Sequence, residues 1–450
     1  MKPRSSEVPV VIDAEGALAG RAVQVDRPPK ALDDVLAIGL CFLLIYAVLA
    51  FGAVEEWAVL ILEAGTALLF RVWVGKQLMA SAVEVHGTPL FPPLLLLIFL
   101  VGAQWLFATS AYGYATHAES LRFAAYAVLL FLAAQTFQNQ RQLRIFALTF
   151  AVFGFLVAVF AVIQDAIPNG KFYWLRMPRI AGYMYGPYVN HNHYAGLMEM
   201  LAPIPLVLAL SSSFRGGKRV LLGFAAVFMG TTIFLAHSRG GMLAFAVQMT
   251  LLGSFFLGSS RHRRAALQVG AACGLILVLL LFLGSGRVAE QVGRLGAIRG
   301  DLEAGRWVIA KDCVHMLLAR PLAGWGLGTF SYVYPSFRSF YSNEFVNRAH
   351  NDYLEFTVET GLPGLAAIFW FLFALYRAGL RRVEHWHTDF SAAVRLAALV
   401  GCTGIVVHSL LDFNLHMPAN AALFFVLCAV ASRSEWQKEA RAPRSFVHGG

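Results

Sequence analysis

Apolar residues arrive along this chain in runs of roughly 17 to 21, the length a helix needs to cross a bilayer, with polar stretches between them. The runs predict about twelve transmembrane helices, near 35–53, 57–74, 90–108, 120–137, 145–164, 193–210, 220–236, 241–258, 266–283, 362–380, 392–411 and 418–433. Pro418 opens the last of them, a position where a helix tolerates proline. Most connections are short, but those at 165–192 and 284–361 are long and rich in aromatic residues, which argues for structure rather than disorder. The first carries Phe172, Tyr173, Trp174, Tyr183, Tyr185 and Tyr188. In the second, Trp307, Ala310, Val314 and Leu317 recur at helical spacing between Glu303 and Arg320, and Pro321 ends the run. A glycine-rich turn (Gly324, Gly326, Gly328) and an aromatic stretch from Phe330 to Tyr341 follow. A second short helix is expected over about 348–360, with Asn347 as N-cap, Gly361 as its stop and Pro363 opening the next span.

Composition agrees: 58% of residues are hydrophobic and only 14% charged, against about 45–50% and about 25% in soluble domains. This excludes a disordered chain, a coiled coil and a secreted disulfide scaffold. The net charge of +10 would suggest nucleic acid in a soluble protein, but its placement says otherwise. Basic clusters at residues 2–30, 141–144, 215–219, 261–264, 381–382 and 433–444 each follow an even number of expected spans. The positive-inside rule puts them, with both termini, in the cytoplasm. The organisation expected is a cytoplasmic tail (1–34), a membrane domain (35–433) with a large extracytoplasmic loop (284–361), and a second tail (434–450). The first residues lack the short apolar core of a signal peptide. Four cysteines (Cys41, Cys273, Cys402, Cys428) fall in spans and Cys313 stands alone in the loop, so no disulfide framework is implied.

Three places on the extracytoplasmic side carry the candidate chemistry. Arg239 lies in His237-Ser238-Arg239-Gly240-Gly241, Arg306 near the start of the loop helix, and Arg348, His350, Asn351, Asp352 and Glu355 in one short segment. Arg239 reads either as an interfacial anchor or as a ligand contact, its two glycines permitting close approach. If Asn347 caps the helix, His350 falls in the first turn, where the dipole favours the neutral ring a general base requires. Asn351, Glu355 and Glu359 form a stripe beside it that could orient the ring or bind hydroxyls, while Asp352 and Glu355 oppose the dipole. Asn190, His191 and Asn192 precede the sixth span; with His193 they offer two imidazoles but no third or fourth ligand, so no metal is expected. The run Gly324 to Gly328 lacks the βαβ setting of a dinucleotide site. Glu63 and Glu199 lie within spans, where a carboxylate is expensive, and Glu199 is placed to face the cavity of the loop residues.

At these residues the chain resembles the O-antigen ligase and polymerase superfamily of bacterial envelope polysaccharide enzymes. The resemblance rests on Asn190 to Gly196 with Pro203, Ser238 to Gly241, Gly305-Arg306-Trp307, Pro321 to Gly328, and His350 to Glu355 running on to Gly361. It implies an all-α, GT-C-like enzyme of the bacterial inner membrane that works on the extracytoplasmic face without metal or other cofactor. The implied donor is a glycan on undecaprenyl diphosphate, and the acceptor another glycan or lipid A core; nucleic acid is not a partner. Carried over by position, Arg239 and Arg306 hold the diphosphate and His350 activates the acceptor hydroxyl. Arg348, Asn351, Glu355, Asn190, His191, Asn192 and Glu199 are expected in support. A pilin-type protein O-glycan ligase is an alternative within the superfamily. A flippase for lipid-linked glycans, favoured by Glu63 and Glu199, and a non-catalytic assembly subunit are the alternatives outside it.

Overall fold

The computed structural model describes residues 30–80, 83–179, 182–257, 301–341, 345–381 and 383–433. Among these residues there is no strand, only isolated bridges pairing Phe172 with Arg176 and Tyr185 with Tyr188. The helices are α1 (Lys30–Leu49), α2 (Glu56–Leu78), α3 (Phe91–Leu106), α4 (Gly113–Thr136), α5 (Gln140–Ala166), α6 (His191–Leu201), α7 (Pro203–Leu210), α8 (Gly217–Leu235) and α9 (Arg239–Leu257). After the 258–300 stretch come α10 (Asp301–Ala319), α11 (Phe330–Val333), α12 (Asp352–Gly379), α13 (Phe390–His408) and α14 (Pro418–Ala431). Taking α6 and α7 as one run, 8 helices among the described residues are long and apolar enough to cross a membrane. The runs expected at 90–108 and 418–433 form the shorter α3 and α14, of 16 and 14 residues. The expected span at 266–283 lies outside the described residues.

The α6–α7 run and α13 are buried almost throughout, whereas α1, α2 and α8 each leave one side open. The open sides carry residues such as Ile38, Phe42, Leu60, Leu68 and Val220, the composition of a lipid-facing surface. Small residues let the central helices approach closely. A Cβ on Gly401 of α13 would meet the Met200 carbonyl of α6 at 2.7 Å, and one on Gly404 would meet the Gln248 side chain of α9 at 2.3 Å.

Two prolines break central helices, and both breaks are satisfied the same way. Proline has no N–H, so it leaves the carbonyl four residues earlier without its helical donor. Pro203 frees the Glu199 carbonyl, which accepts from the Gln248 side-chain amide at 2.9 Å. Pro363 frees the Glu359 carbonyl, which accepts from the Gly326 amide at 2.9 Å and from Gln104 Nε2 at 2.7 Å. At the second break Gly361 has φ 73°, ψ −176°, a conformation essentially reserved for glycine. The glycine-rich turn therefore docks on a broken helix: Trp325 N–H donates to the Val358 carbonyl and Leu362 N–H to the Pro321 carbonyl.

A smaller core fixes the segment before α12. Ile309, Cys313 and Met316 of α10 pack with Phe330, Val333, Tyr334, Ala349 and Val358. The helix expected at 303–320 is present, but its packed face differs from the one the spacing suggested: Trp307 and Val314 are exposed. Both sides of α10 are apolar, and tertiary contact selects between them.

Candidate functional site

The polar groups converge on the connection between α13 and α14, residues 409–417. Asp412 is buried in it, and its carboxylate accepts from His350 Nδ1 at 3.3 Å and from the side-chain amide of Asn192. A carboxylate here only accepts, so Nδ1 carries the ring proton and Nε2 is left as the basic nitrogen. Burial alone would raise the Asp412 pKa, but the hydrogen bond from His350 and the nearby His193 and His408 hold it well below the usual range. His350 is partly exposed, and its ring stands edge-on to Phe413 with centroids 5.0 Å apart.

Each neighbour of Asp412 along the chain is also held. Arg306 Nη1 donates to the Leu411 carbonyl at 3.0 Å and Asn351 Nδ2 to the Leu410 carbonyl at 2.9 Å. Gly240, next to the exposed Arg239, lies against His408 and Leu411: a Cβ there would be 2.7 Å from the His408 ring and 3.6 Å from Leu411 Cβ. Arg306 and the backbone beside Arg239 thus approach Leu411 while His350 meets Asp412. Ser238 caps α9, its hydroxyl accepting from Gly241 N–H at 3.1 Å. The glycines after Arg239 let the start of α9 close on His408 and Glu199, a packing role.

Several expectations are corrected. The N-cap of α12 is Asn351, whose side chain accepts from Leu354 N–H, so His350 precedes the helix at φ 53° instead of lying in its first turn. Asn347 is exposed and caps nothing in α12; the bond from Asn351 to Leu410 decides between the two asparagines. The stripe of Asn351, Glu355 and Glu359 does not orient His350. Glu355 accepts from Arg348 Nη1 at 2.8 Å and Ala349 N–H at 2.7 Å and faces His416 Nε2 at 3.1 Å. Glu359 caps the turn before α11 by accepting from Phe330 N–H at 2.9 Å. Glu199 faces no open cavity: it is fully buried, 2.8 Å from His408 Nδ1.

Asn190 caps α6 by accepting from Asn192 N–H at 2.9 Å, and His191 Nδ1 pairs with the Ala236 carbonyl at 2.7 Å. His193 turns to Asn414, so the two histidines diverge. Phe172, Tyr185, Tyr188, Phe330 and Tyr334 among the loop aromatics are buried as core, whereas Tyr183, Tyr332 and Tyr341 are exposed.

Asp412, His416, His408 and Asn414 were not singled out by sequence reasoning. His416 faces Asp352 at 2.6 Å through Nδ1 and Glu355 at 3.1 Å through Nε2. Burial alone would lower its pKa, but the Glu355 and Asp352 carboxylates push it up to about 10. The signal was present: a histidine, an aspartate, an asparagine and another histidine within 408–416, between two apolar runs. Extending a span to 411 hid part of it.

Beneath this connection lies an apolar cavity of about 140 Å³, walled by Phe123, Tyr126, Phe356, Phe371 and Phe425, with Glu119, Asp352 and His416 among its polar lining.

No curated protein matches the chain. The family model described as O-antigen ligase matches residues 224–369, a stretch that holds Arg239, Arg306, Arg348, His350, Asn351 and Glu355 but not Asn192 or Asp412. The match spans 146 of the 450 residues, and with the motifs at 239, 306 and 348–355 inside it, the chain is similar to the O-antigen ligase and polymerase family over that stretch.

Proposed function

We propose that this protein transfers a glycan from undecaprenyl diphosphate to an acceptor hydroxyl on the extracytoplasmic face of the bacterial inner membrane. The fold is proposed to be GT-C-like with about twelve spans, and the basic clusters support a cytoplasmic position for both termini. The observation that carries the reading is the buried Asp412 paired with His350, with Arg306 bound one peptide away. His350 Nε2 takes the proton of the acceptor hydroxyl, whose oxygen attacks the anomeric carbon of the donor sugar. The bond from that carbon to the diphosphate oxygen breaks, and polyprenyl diphosphate leaves. Arg239 and Arg306 bind its phosphate oxygens and offset the charge that develops on them. No step requires a metal. The apolar cavity under the 409–417 connection, lined mainly by aromatic and aliphatic side chains, has room for the start of a prenyl chain only. Glu199, one of the two residues that would favour translocation of a lipid-linked glycan, is closed off against His408.

Purified protein in nanodiscs, supplied with a synthetic undecaprenyl-diphosphate oligosaccharide and acceptor, tests the assignment. His350→Ala should lower turnover by about 10²–10⁴, the usual contribution of a general base, with donor binding unchanged. Arg306→Ala should weaken donor binding as well as turnover. Full turnover in His350→Ala overturns the base. Lipid-linked glycans from cells lacking the protein distinguish the acceptors: single units accumulate if it is a polymerase, long chains if it is a ligase.

A further inference from the structure

A second cavity, of about 590 Å³, opens between the α1–α2 turn and residues 172–179 with Val189, and its size lies in the range of small-molecule sites, about 300–1,000 Å³. Its walls combine aromatic surface with held charges. Glu55 sits at the centre: Arg176 Nη2 lies 2.6 Å from each of its oxygens, and Trp57 Nε1 donates to it at 2.7 Å. Burial alone would raise the Glu55 pKa, but Trp57, Arg176 and Arg179 lower it, so the carboxylate stays charged. The Arg176 guanidinium also lies over the Phe51 ring, 4.8 Å from its centroid. Arg179 is held less tightly: it reaches Glu55 at 3.7 Å and its side chain is 75% exposed. Trp57 leaves 43% of its surface open while its indole N–H fixes the ring.

The cavity is tied to the reaction centre through the chain. Val189 lines it, and Asn192, three residues on, binds Asp412. Three virtual Cα bonds span at most about 11 Å. Tyr188, packed against Gly52 of the α1–α2 turn, donates to Asn420, whose amide donates to the His193 carbonyl at 3.0 Å. The cavity wall is therefore tied through Asn192 and Asp412 to His350.

We propose that the cavity walled by Phe51, Glu55, Trp57, Arg176 and Arg179 is a glycan-binding subsite that positions one to three sugar rings of a substrate of the transfer reaction. The apolar face of a sugar ring lies against Trp57, and the hydroxyls bond to the Glu55–Arg176 pair. Arg179 takes an anionic substituent on the glycan. This rests on the glycosyl-transfer reading above, and it adds a segment, the α1–α2 turn, that carries none of the family motifs.

The test uses the full chain in nanodiscs and, as probe, oligosaccharides released by mild acid from the cell's own surface polysaccharide. Calorimetry should show binding to wild type and to His350→Ala, weakened about tenfold or more by Trp57→Ala and by Arg179→Ala, with Trp57→Phe partly restoring it. In the transfer assay the same two variants should raise KM with kcat nearly unchanged. A rise in the acceptor KM assigns the subsite to the acceptor glycan, and a rise in the donor KM to the donor glycan. Wild-type Kd and KM in both variants overturn the subsite, because a tryptophan serving only as a lipid-interface anchor leaves both unchanged. Absence of probe binding to wild type overturns it as well. If wild type transfers nothing, the reaction is wrong, yet binding that is lost in Trp57→Ala still upholds the subsite.

Discussion

At the scale of residues, the site is a division of labour around one histidine. In the proposed site, a partly exposed imidazole with a buried carboxylate on Nδ1 keeps its lone pair on Nε2, and Asp412 serves as a positioning group. Asp412→Asn preserves shape but supplies an amide that can donate as well as accept, so the tautomer is no longer fixed. The expected result is a fall in kcat of about 10²–10⁴ with the donor KM unchanged, and partial recovery in Asp412→Glu. Loss of donor binding in parallel with kcat would instead mark Asp412 as part of the diphosphate site. His350 and the arginines were legible in the sequence because polar residues in an apolar chain draw notice in short motifs. Asp412 was not, because its partner lies 62 positions away and the two are brought together by tertiary bonds from Asn351 and Asp352 to Leu410 and Ser409. The same holds for the cap of α12. Asn347 and Asn351 both suit a helix start, and the Leu410 carbonyl selects Asn351.

At the scale of elements, the helical runs were legible and their interruptions were not. Pro203 and Pro363 announce that a hydrogen bond is missing, but nothing local says that Gln248 and the glycine-rich turn replace it. The turn from Pro321 to Gly328 is thereby explained as a docking piece for the broken α12, which holds the α10–α11 segment over the site. Gly361 is the point of least tolerance. A Cβ there would stand 2.4 Å from the Leu322 carbonyl oxygen, and the positive φ with extended ψ strains any side chain by about 1–3 kcal/mol besides. Gly361→Ala should therefore lower the melting temperature sharply and reduce the yield of folded protein. Gly305→Ala is the control from the same set of family motifs: a Cβ there meets nothing within 4 Å, and alanine favours a helix by about 0.5–1 kcal/mol. Equal melting temperatures for wild type and Gly361→Ala would mean that the docked turn does not hold the break in solution.

At the scale of the whole molecule, charge is scarce and part of what is buried is paired within clusters. The cluster beside the site ties the start of α12 to the connection before α14: Arg348 and His416 are its cations, Glu355 and Asp352 its anions. Both ring nitrogens of His416 face carboxylates, so each carries a proton and the cluster is neutral only while the ring is charged. That balance has a measurable sign. The folded-state pKa of His416, about 10, lies above the value near 6.5 of an unperturbed histidine. Its contribution to stability is therefore complete below about pH 6.5 and disappears as pH rises through about 10, at no more than about 1.4 kcal/mol per pH unit for one proton. Thermal unfolding in nanodiscs at pH 6, 8 and 10 should show wild type melting well above His416→Gln at pH 6, with the gap narrowing at pH 8 and nearly closed at pH 10. A gap that stays constant over this range would show that His416 is neutral when folded. The cluster would then hold an uncompensated carboxylate, and the coupling between α12 and the α13–α14 connection would rest on packing and on the hydrogen bonds that Asn351 and Asp352 make with Ser409, Leu410 and Leu415.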